Sequence, residues 1–186
     1  MKRVLAVAMI VLTLCGCSGT SSELNRALKL RESILKADEC TFSATITADY
    51  GDKFYIFKMD CKSDADGNIA FTVTEPESIS GISGSLTETQ GNLTFDDQVL
   101  VFQTLADGQV SPVSAPWLLI HTLRSGYIRS CGKDGQGVMI QIDDSYSEDA
   151  LRLHIWTEQD DKPVRGEIFW QGRRIVTVDV ENFTIV

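Results

Sequence analysis

From Cys40 to its C-terminus the chain reads as one β-strand after another, and this period of two constrains the fold more than any other feature. Cys40, Phe42, Ala44, Ile46 and Ala48 alternate with Thr41, Ser43, Thr45 and Thr47. Asp49-Tyr50-Gly51-Asp52 reads as a turn, and Lys53 to Lys62 as a second strand. Asp64 to Asn68 turns into the alternating run Ile69, Phe71, Val73, which stops at Pro76. A Gly/Ser stretch, Ser80 to Ser85, enters another strand, followed by Leu93–Phe95 and Val99–Thr104. After a loop at 105–113, strands are expected at 127–131, 137–143, 150–157, 164–170, 173–180 and 182–186. Turns of hairpin length between them predict an antiparallel meander.

Two helices interrupt the pattern. Ser22 to Ala37 has helical spacing, with Leu24, Leu28, Arg31 and Leu35 in line and Ala27, Leu30 and Ile34 beside them. Ser22 is the expected cap, and one apolar stripe should pack on the sheet. Ser114-Ala115-Pro116 starts a second helix, with Pro in the first turn, where its missing N–H costs nothing. Trp117 to Arg124 is apolar nearly all round, so this helix, at about 114–125, should be buried; Gly126 ends it.

Register can be argued from side-chain faces. A two-residue loop at Tyr50-Gly51 pairs residue 49 with 52 and 40 with 61. It puts Cys40, Phe42, Ala44 and Ile46 on the face of Tyr55, Phe57, Met59 and Cys61. Cys40 and Cys61 then stand opposite each other at a non-hydrogen-bonded position, close enough for a candidate disulfide. Two buried thiols behaving as small hydrophobes are the alternative.

The N-terminus gives the location. Lys2 and Arg3 precede an apolar run from Val4 to Leu14, too short for a membrane span, which is the layout of a secretory signal peptide. Leu14-Cys15-Gly16-Cys17 resembles the lipobox of bacterial lipoproteins. The resemblance implies cleavage before Cys17 and a diacylglyceryl thioether on its sulfur, which anchors the chain in the membrane. The expected organisation is a signal peptide over 1–16, a flexible tether over 17–22 and a single domain over 22–186. The expected location is the extracytoplasmic side of the cell membrane.

The chain has 17 basic and 26 acidic residues. Lys2 and Arg3 leave with the signal, so the remainder carries 15 against 26, a balance that argues against nucleic acid as a partner. Cys40, Cys61 and Cys131 form no Cys-x-x-Cys pair and only two His are present, so no metal site is expected. Asp64-Ala65-Asp66-Gly67-Asn68 looks like half a calcium loop, but Val73 stands where the loop needs its Glu, and the segment reads as a hairpin turn. His121 lies in the apolar helix and His154 on a solvated strand face; a packed role is expected for both. No nucleophile elbow, P-loop or dinucleotide fingerprint occurs. Neither an enzyme nor a cofactor is expected.

What remains is aromatic bulk, including Phe42, Tyr55, Phe57, Phe71, Phe95, Phe102, Trp117, Trp156 and Trp170. It fills either an ordinary core or the concave face of a curved sheet that holds an acyl chain or hydrophobic peptide under the 115–125 helix. Phe57, Met59, Phe71 and Trp117 are the candidate ligand-binding residues.

The layout of an N-terminal helix, a long antiparallel meander and a helix inserted after about six strands resembles the lipoprotein-carrier superfamily. That superfamily includes the LolA and LolB carriers, LppX-type lipoproteins and the sensor-domain relatives of RseB. The resemblance covers nearly all of 22–186, lies in architecture and carries over no site residue. It implies an α+β fold, an incomplete β-barrel whose helices close a hydrophobic cavity. The function expected is binding of a lipid or lipoprotein acyl chain by a membrane-anchored, non-enzymatic domain. The alternative is a cell-envelope interaction or sensor module that contacts an envelope protein and has no ligand cavity.

Overall fold

The computed structural model describes residues 20–186 apart from 104, 107 and 108. Helix α1 (Thr20–Lys36) leads into strands β1 (Glu39–Asp49), β2 (Phe54–Asp64), β3 (Ile69–Glu75), β4 (Ser83–Leu86), β5 (Gly91–Phe95) and β6 (Gln98–Phe102). A short hairpin, β7 (Leu105–Ala106) and β8 (Gln109–Val110), precedes helix α2 (Ala115–Ser125). The chain ends in β9 (Tyr127–Asp134), β10 (Gly137–Asp143), β11 (Arg152–Thr157), β12 (Pro163–Trp170) and β13 (Arg173–Ile185). Cys17 and the expected signal peptide lie outside the described residues.

Apart from the β7–β8 hairpin, the strands form one antiparallel sheet of 11, in the order β6-β5-β4-β3-β2-β1-β13-β12-β11-β10-β9. Two meanders, one from each half of the chain, join where β1 pairs with β13, from Cys40 opposite Ile185 to Ala48 opposite Val176. The sheet does not close, because β6 and β9 are its two edges. This is the α+β incomplete barrel that the sequence leads one to expect.

The core lies on one face of the sheet. Ala44, Ile46, Met59, Leu153, Ile155 and Val178 are fully buried there, together with Leu118, Leu119 and Ile120 of α2. Gly166 gives α2 its seat, since a Cβ there would come within 3.0 Å of Leu119 Cδ1. Helix α1 packs beside α2 against β9 and β10. Its buried stripe is Ala27, Leu30 and Ile34, whereas Leu24, Leu28 and Leu35 are exposed. The small Ala27 sits on the packed side, which lets the backbone approach its neighbours. The helix begins at Thr20, so Ser22 is inside it and is not its cap. Ser114 precedes α2 as expected, but its hydroxyl makes no capping bond.

The β1–β2 register differs from the expected one by two residues. Asp49 pairs with Phe54, so the loop holds four residues, 50–53. Tyr50 is drawn inward, and its hydroxyl donates to the Val110 carbonyl. Its backbone N–H donates to the Lys53 carbonyl at 3.0 Å. A shift of two keeps every side chain on its expected face but places Cys40 opposite Ser63 and Cys61 opposite Phe42. Cys40 and Cys61 are both free, buried thiols. Residues 173–185 form one strand and not two, because Asn182, at φ 57, makes a bulge where a break is expected.

Candidate functional site

One end of the half-barrel is open. The β1–β2 loop, the β12–β13 turn, the β5–β6 hairpin and the segment leading into α2 converge there around a cleft of about 1160 Å³. Its apolar walls come from Tyr50, Tyr55 and Phe57, from Leu93, Leu100 and Phe102, from Val110 and Val113, and from Trp170 and Ile175. Small-molecule sites more often measure ~300–1,000 Å³, so this cleft has room for a long apolar chain.

Local structure explains each wall. Leu93 pairs with Leu100 and Gly91 with Phe102, so the four share one face of the β5–β6 hairpin. A Cβ at Gly91 would lie 2.4 Å from the Phe102 ring, so only glycine lets that ring lie across β5. Asp96 and Asp97 both have positive φ, 47° and 61°, as a two-residue hairpin loop requires. Tyr50 reaches across to Val110 through its hydroxyl and meets Tyr55 edge-on at 6.4 Å. Burial, with Tyr55 adding to it, pushes the Tyr50 pKa up to about 12, so the hydroxyl stays protonated as a donor. Asp52, Lys53 and Gln171 also border the cleft and are exposed. Arg173 Nη2 stands 3.4 Å from both the carbonyl and a carboxylate oxygen of Asp49.

The four candidate ligand-binding residues do not meet in one place. Phe57 is 7% exposed and lines the cleft. Met59, at 0%, lies in the core. Phe71 is buried and borders a separate groove of about 830 Å³, lined largely by Thr, Ser, Asn and Lys side chains. Trp117 is buried in α2 and stacks on His121 with ring centroids 4.6 Å apart. Tyr50, Leu100, Phe102 and Trp170 line the cleft but were not among the four candidate ligand-binding residues. Leu100 and Phe102 lie in the unbroken apolar run Val99-Leu100-Val101-Phe102, which does not alternate as a half-buried strand should; Tyr50 and Trp170 lie in no such run.

His121 lies outside this lining. It is half-buried, with Ser125 Oγ 3.4 Å from its Nε2. His154 stands between Gln141 and Glu167 on the neighbouring strands, with its ring 4.5 Å from that of Phe169. Among the described residues no group of three or more His, Cys, Asp or Glu could hold a metal ion. No described helix is long and apolar enough to cross a membrane.

No family model matches this chain, and no curated protein does. Among solved structures it is similar to an uncharacterized conserved protein from Thermus thermophilus, with a TM-score of 0.48, 13% identity, and 88% of this chain and 87% of that chain covered. It is similar to a LolA superfamily protein from Nitrosomonas europaea, with a TM-score of 0.46, 11% identity, and 91% of this chain and 94% of that one covered. It is also similar to the Mycobacterium tuberculosis lipoprotein LppX, with a TM-score of 0.44, 12% identity, and 87% and 93% covered.

Proposed function

We propose that this protein is a lipoprotein, anchored through Cys17 on the extracytoplasmic side of the membrane, that binds a lipid or acyl chain in the cleft. The observation that carries this reading is the cleft itself, whose lining is mostly apolar and aromatic. A long apolar chain laid along Tyr55, Leu100, Phe102 and Trp170 would leave water at ~25 cal/mol per Å² of buried apolar surface. Leu100 is 62% exposed and Tyr55 43%, so a ligand would cover surface that is now wet. A polar head group would sit near Lys53 and Arg173. No step of this function needs a reacting residue.

Native mass spectrometry on the protein extracted from membranes of the cells that make it tests both parts. Expected are a mass excess that disappears on denaturation and matches a fatty acid or phospholipid, and a covalent diacylglyceryl modification lost in Cys17→Ser. A protein that carries no lipid and binds no hydrophobic probe would overturn the ligand reading. An unmodified Cys17 would overturn the anchor and leave the ligand reading standing.

A further inference from the structure

Helix α1 carries a second apolar stripe that the domain leaves in water. Ala27, Leu30 and Ile34 are buried, but Leu24, Leu28 and Leu35 are 39%, 44% and 49% exposed. Spacings of four and seven residues put these three leucines in one line along the helix. Leucines exposed singly are ordinary on a protein surface, whereas an aligned set marks a contact.

The helix is also the basic part of an acidic chain. It holds Arg26, Lys29, Arg31 and Lys36 against Glu23 and Glu32, four basic residues to two acidic. From residue 37 onward the chain has 11 basic and 24 acidic residues. Arg26 and Arg31 are engaged by the domain, Arg26 by Asp161 at 2.6 Å and Arg31 by the Leu123 and Gly126 carbonyls. Lys29 and Lys36 directly follow Leu28 and Leu35 and are exposed; Lys36 pairs with the exposed Glu32. Their long stems can run beside the leucines with the ammonium groups held outward. Leucines along one line with lysines beside them are the pattern of a helix that lies in a membrane interface.

Position in the chain and charge select a bilayer as the occupant. A tether over 17–22 is expected from the sequence, but α1 begins at Thr20, so only residues 17–19 lie between the helix and the expected anchor. Three residues span at most ~10 Å. A diacylglyceryl group on Cys17 therefore holds the first turn of α1 close to the lipid surface. The acidic remainder of the domain is repelled by anionic head groups, and α1 is not.

We propose that α1 lies on the bilayer that anchors the chain, with Leu24, Leu28 and Leu35 among the lipids and Lys29 and Lys36 at the phosphates. This contact rests on the Cys17 anchor proposed above and is independent of what the cleft binds. It also orients the domain. Arg26 of α1 reaches Gln136 and Asp161 in the β9–β10 and β11–β12 turns, and Arg124 joins the Ile34 carbonyl of α1 to the Ala65 carbonyl of the β2–β3 turn. Turns alternate between the two ends of an antiparallel meander, so the β1–β2 loop and β12–β13 turn that border the cleft lie at the other end. Asp52 in that loop stays in water when α1 is on the membrane.

Depth-dependent quenching in the full chain tests the contact. Leu28→Cys, Ser33→Cys and Asp52→Cys are each labelled with an environment-sensitive fluorophore, the native Cys40, Cys61 and Cys131 being buried. Ser33 is two and a half turns from Leu24 and projects from the opposite side of the same helix. The protein is extracted from membranes of the cells that make it. It is then reconstituted into vesicles of phosphatidylcholine and phosphatidylglycerol that carry nitroxide on their acyl chains. Expected is quenching at Leu28 several-fold greater than at Ser33 or Asp52, reduced when Leu24→Asp and Leu35→Asp are added, in protein that floats with the vesicles throughout. All five positions are exposed, so the variants should fold, and the Leu28 and Ser33 labels decide without the double substitution. Equal quenching at Leu28 and Ser33 in floating protein, or stronger quenching at Asp52, overturns the proposal and leaves the anchor standing. Protein that does not float overturns the anchor and the proposal together.

Discussion

Replacing Arg31 by Met should loosen the joint between the two helices that close the half-barrel. Arg31 reaches from α1 to the C-terminal end of α2, donating from Nε to the Leu123 carbonyl and from Nη2 to the Gly126 carbonyl, each at 2.7 Å. A longer contact, 3.4 Å, reaches the Thr122 carbonyl. The last carbonyls of a helix have no partner within it, and here a guanidinium fork supplies one. Arg124 returns the contact, donating to the Ile34 carbonyl of α1 at 3.2 Å and to the Ala65 carbonyl at 2.7 Å. Burial lowers the Arg31 pKa, against a smaller raising effect from Cys131, yet an arginine keeps its charge at any working pH.

Met keeps the stem and removes the donors. A hydrogen bond to a charged group contributes ~1.5–3 kcal/mol, so the two short bonds set a ceiling of ~3–6 kcal/mol. Arg31 is only half-buried, so water can reach the freed carbonyls, and the expected loss is about 2–3 kcal/mol. In a domain of this size that lowers Tm by roughly 5–10 °C. Urea unfolding should show a lower midpoint at an unchanged m-value. Arg31→Lys should recover little, because it keeps the charge near the helix end, worth ~0.3–1 kcal/mol, but not the fork. A variant Arg31→Met within 0.5 kcal/mol of wild type, a margin typical of surface substitutions, would refute this reasoning. Full recovery by Arg31→Lys would assign the effect to charge alone.

Two further outcomes are expected. Tyr55→Asp puts a carboxylate on the apolar wall of the cleft; a fluorescent fatty acid should bind at least tenfold more weakly, with Tm nearly unchanged because the side chain is 43% exposed, and unchanged binding would remove Tyr55 from the site. Burial lowers the His121 pKa, opposed by Glu88 and Asp144, so the unfolded chain takes up the proton first as pH falls. The stability due to neutral His121 is therefore complete above the unperturbed value of ~6.5 and is lost as pH drops through it toward the lower folded value. Between pH 7.5 and 5.5, His121→Gln should lose less Tm than wild type. His154 is shifted the same way but is present in both proteins, so equal losses would refute the assignment.

The fold was legible wherever the signal is local. Alternation in Cys40–Ala48 and Phe57–Cys61 identifies the inward face, because a strand buried on one side has period two. The central pair β1–β13 was not legible, since nothing near Cys40 or Ile185 marks the other end of the chain as its neighbour. The candidate disulfide depended on a loop length, and Tyr50, by turning toward Val110, adds the two residues that remove it. In α1 two leucine-containing stripes have helical period, and only packing against β9, β10 and α2 selects Ala27, Leu30 and Ile34. The cleft was least legible, because Tyr50, Leu100, Val113 and Trp170 come from four separate parts of the chain, two of them connections and two of them strands, and share no sequence pattern. One residue run nonetheless held the clue. Val99-Leu100-Val101 reads as a strand buried on both faces, as in the middle of a covered sheet. The fold places it at a bare edge instead, with one face on the cleft and the other in water. Apolar residues on both faces of an exposed strand stabilise the isolated molecule little, because the surface they leave in water gains nothing from burial.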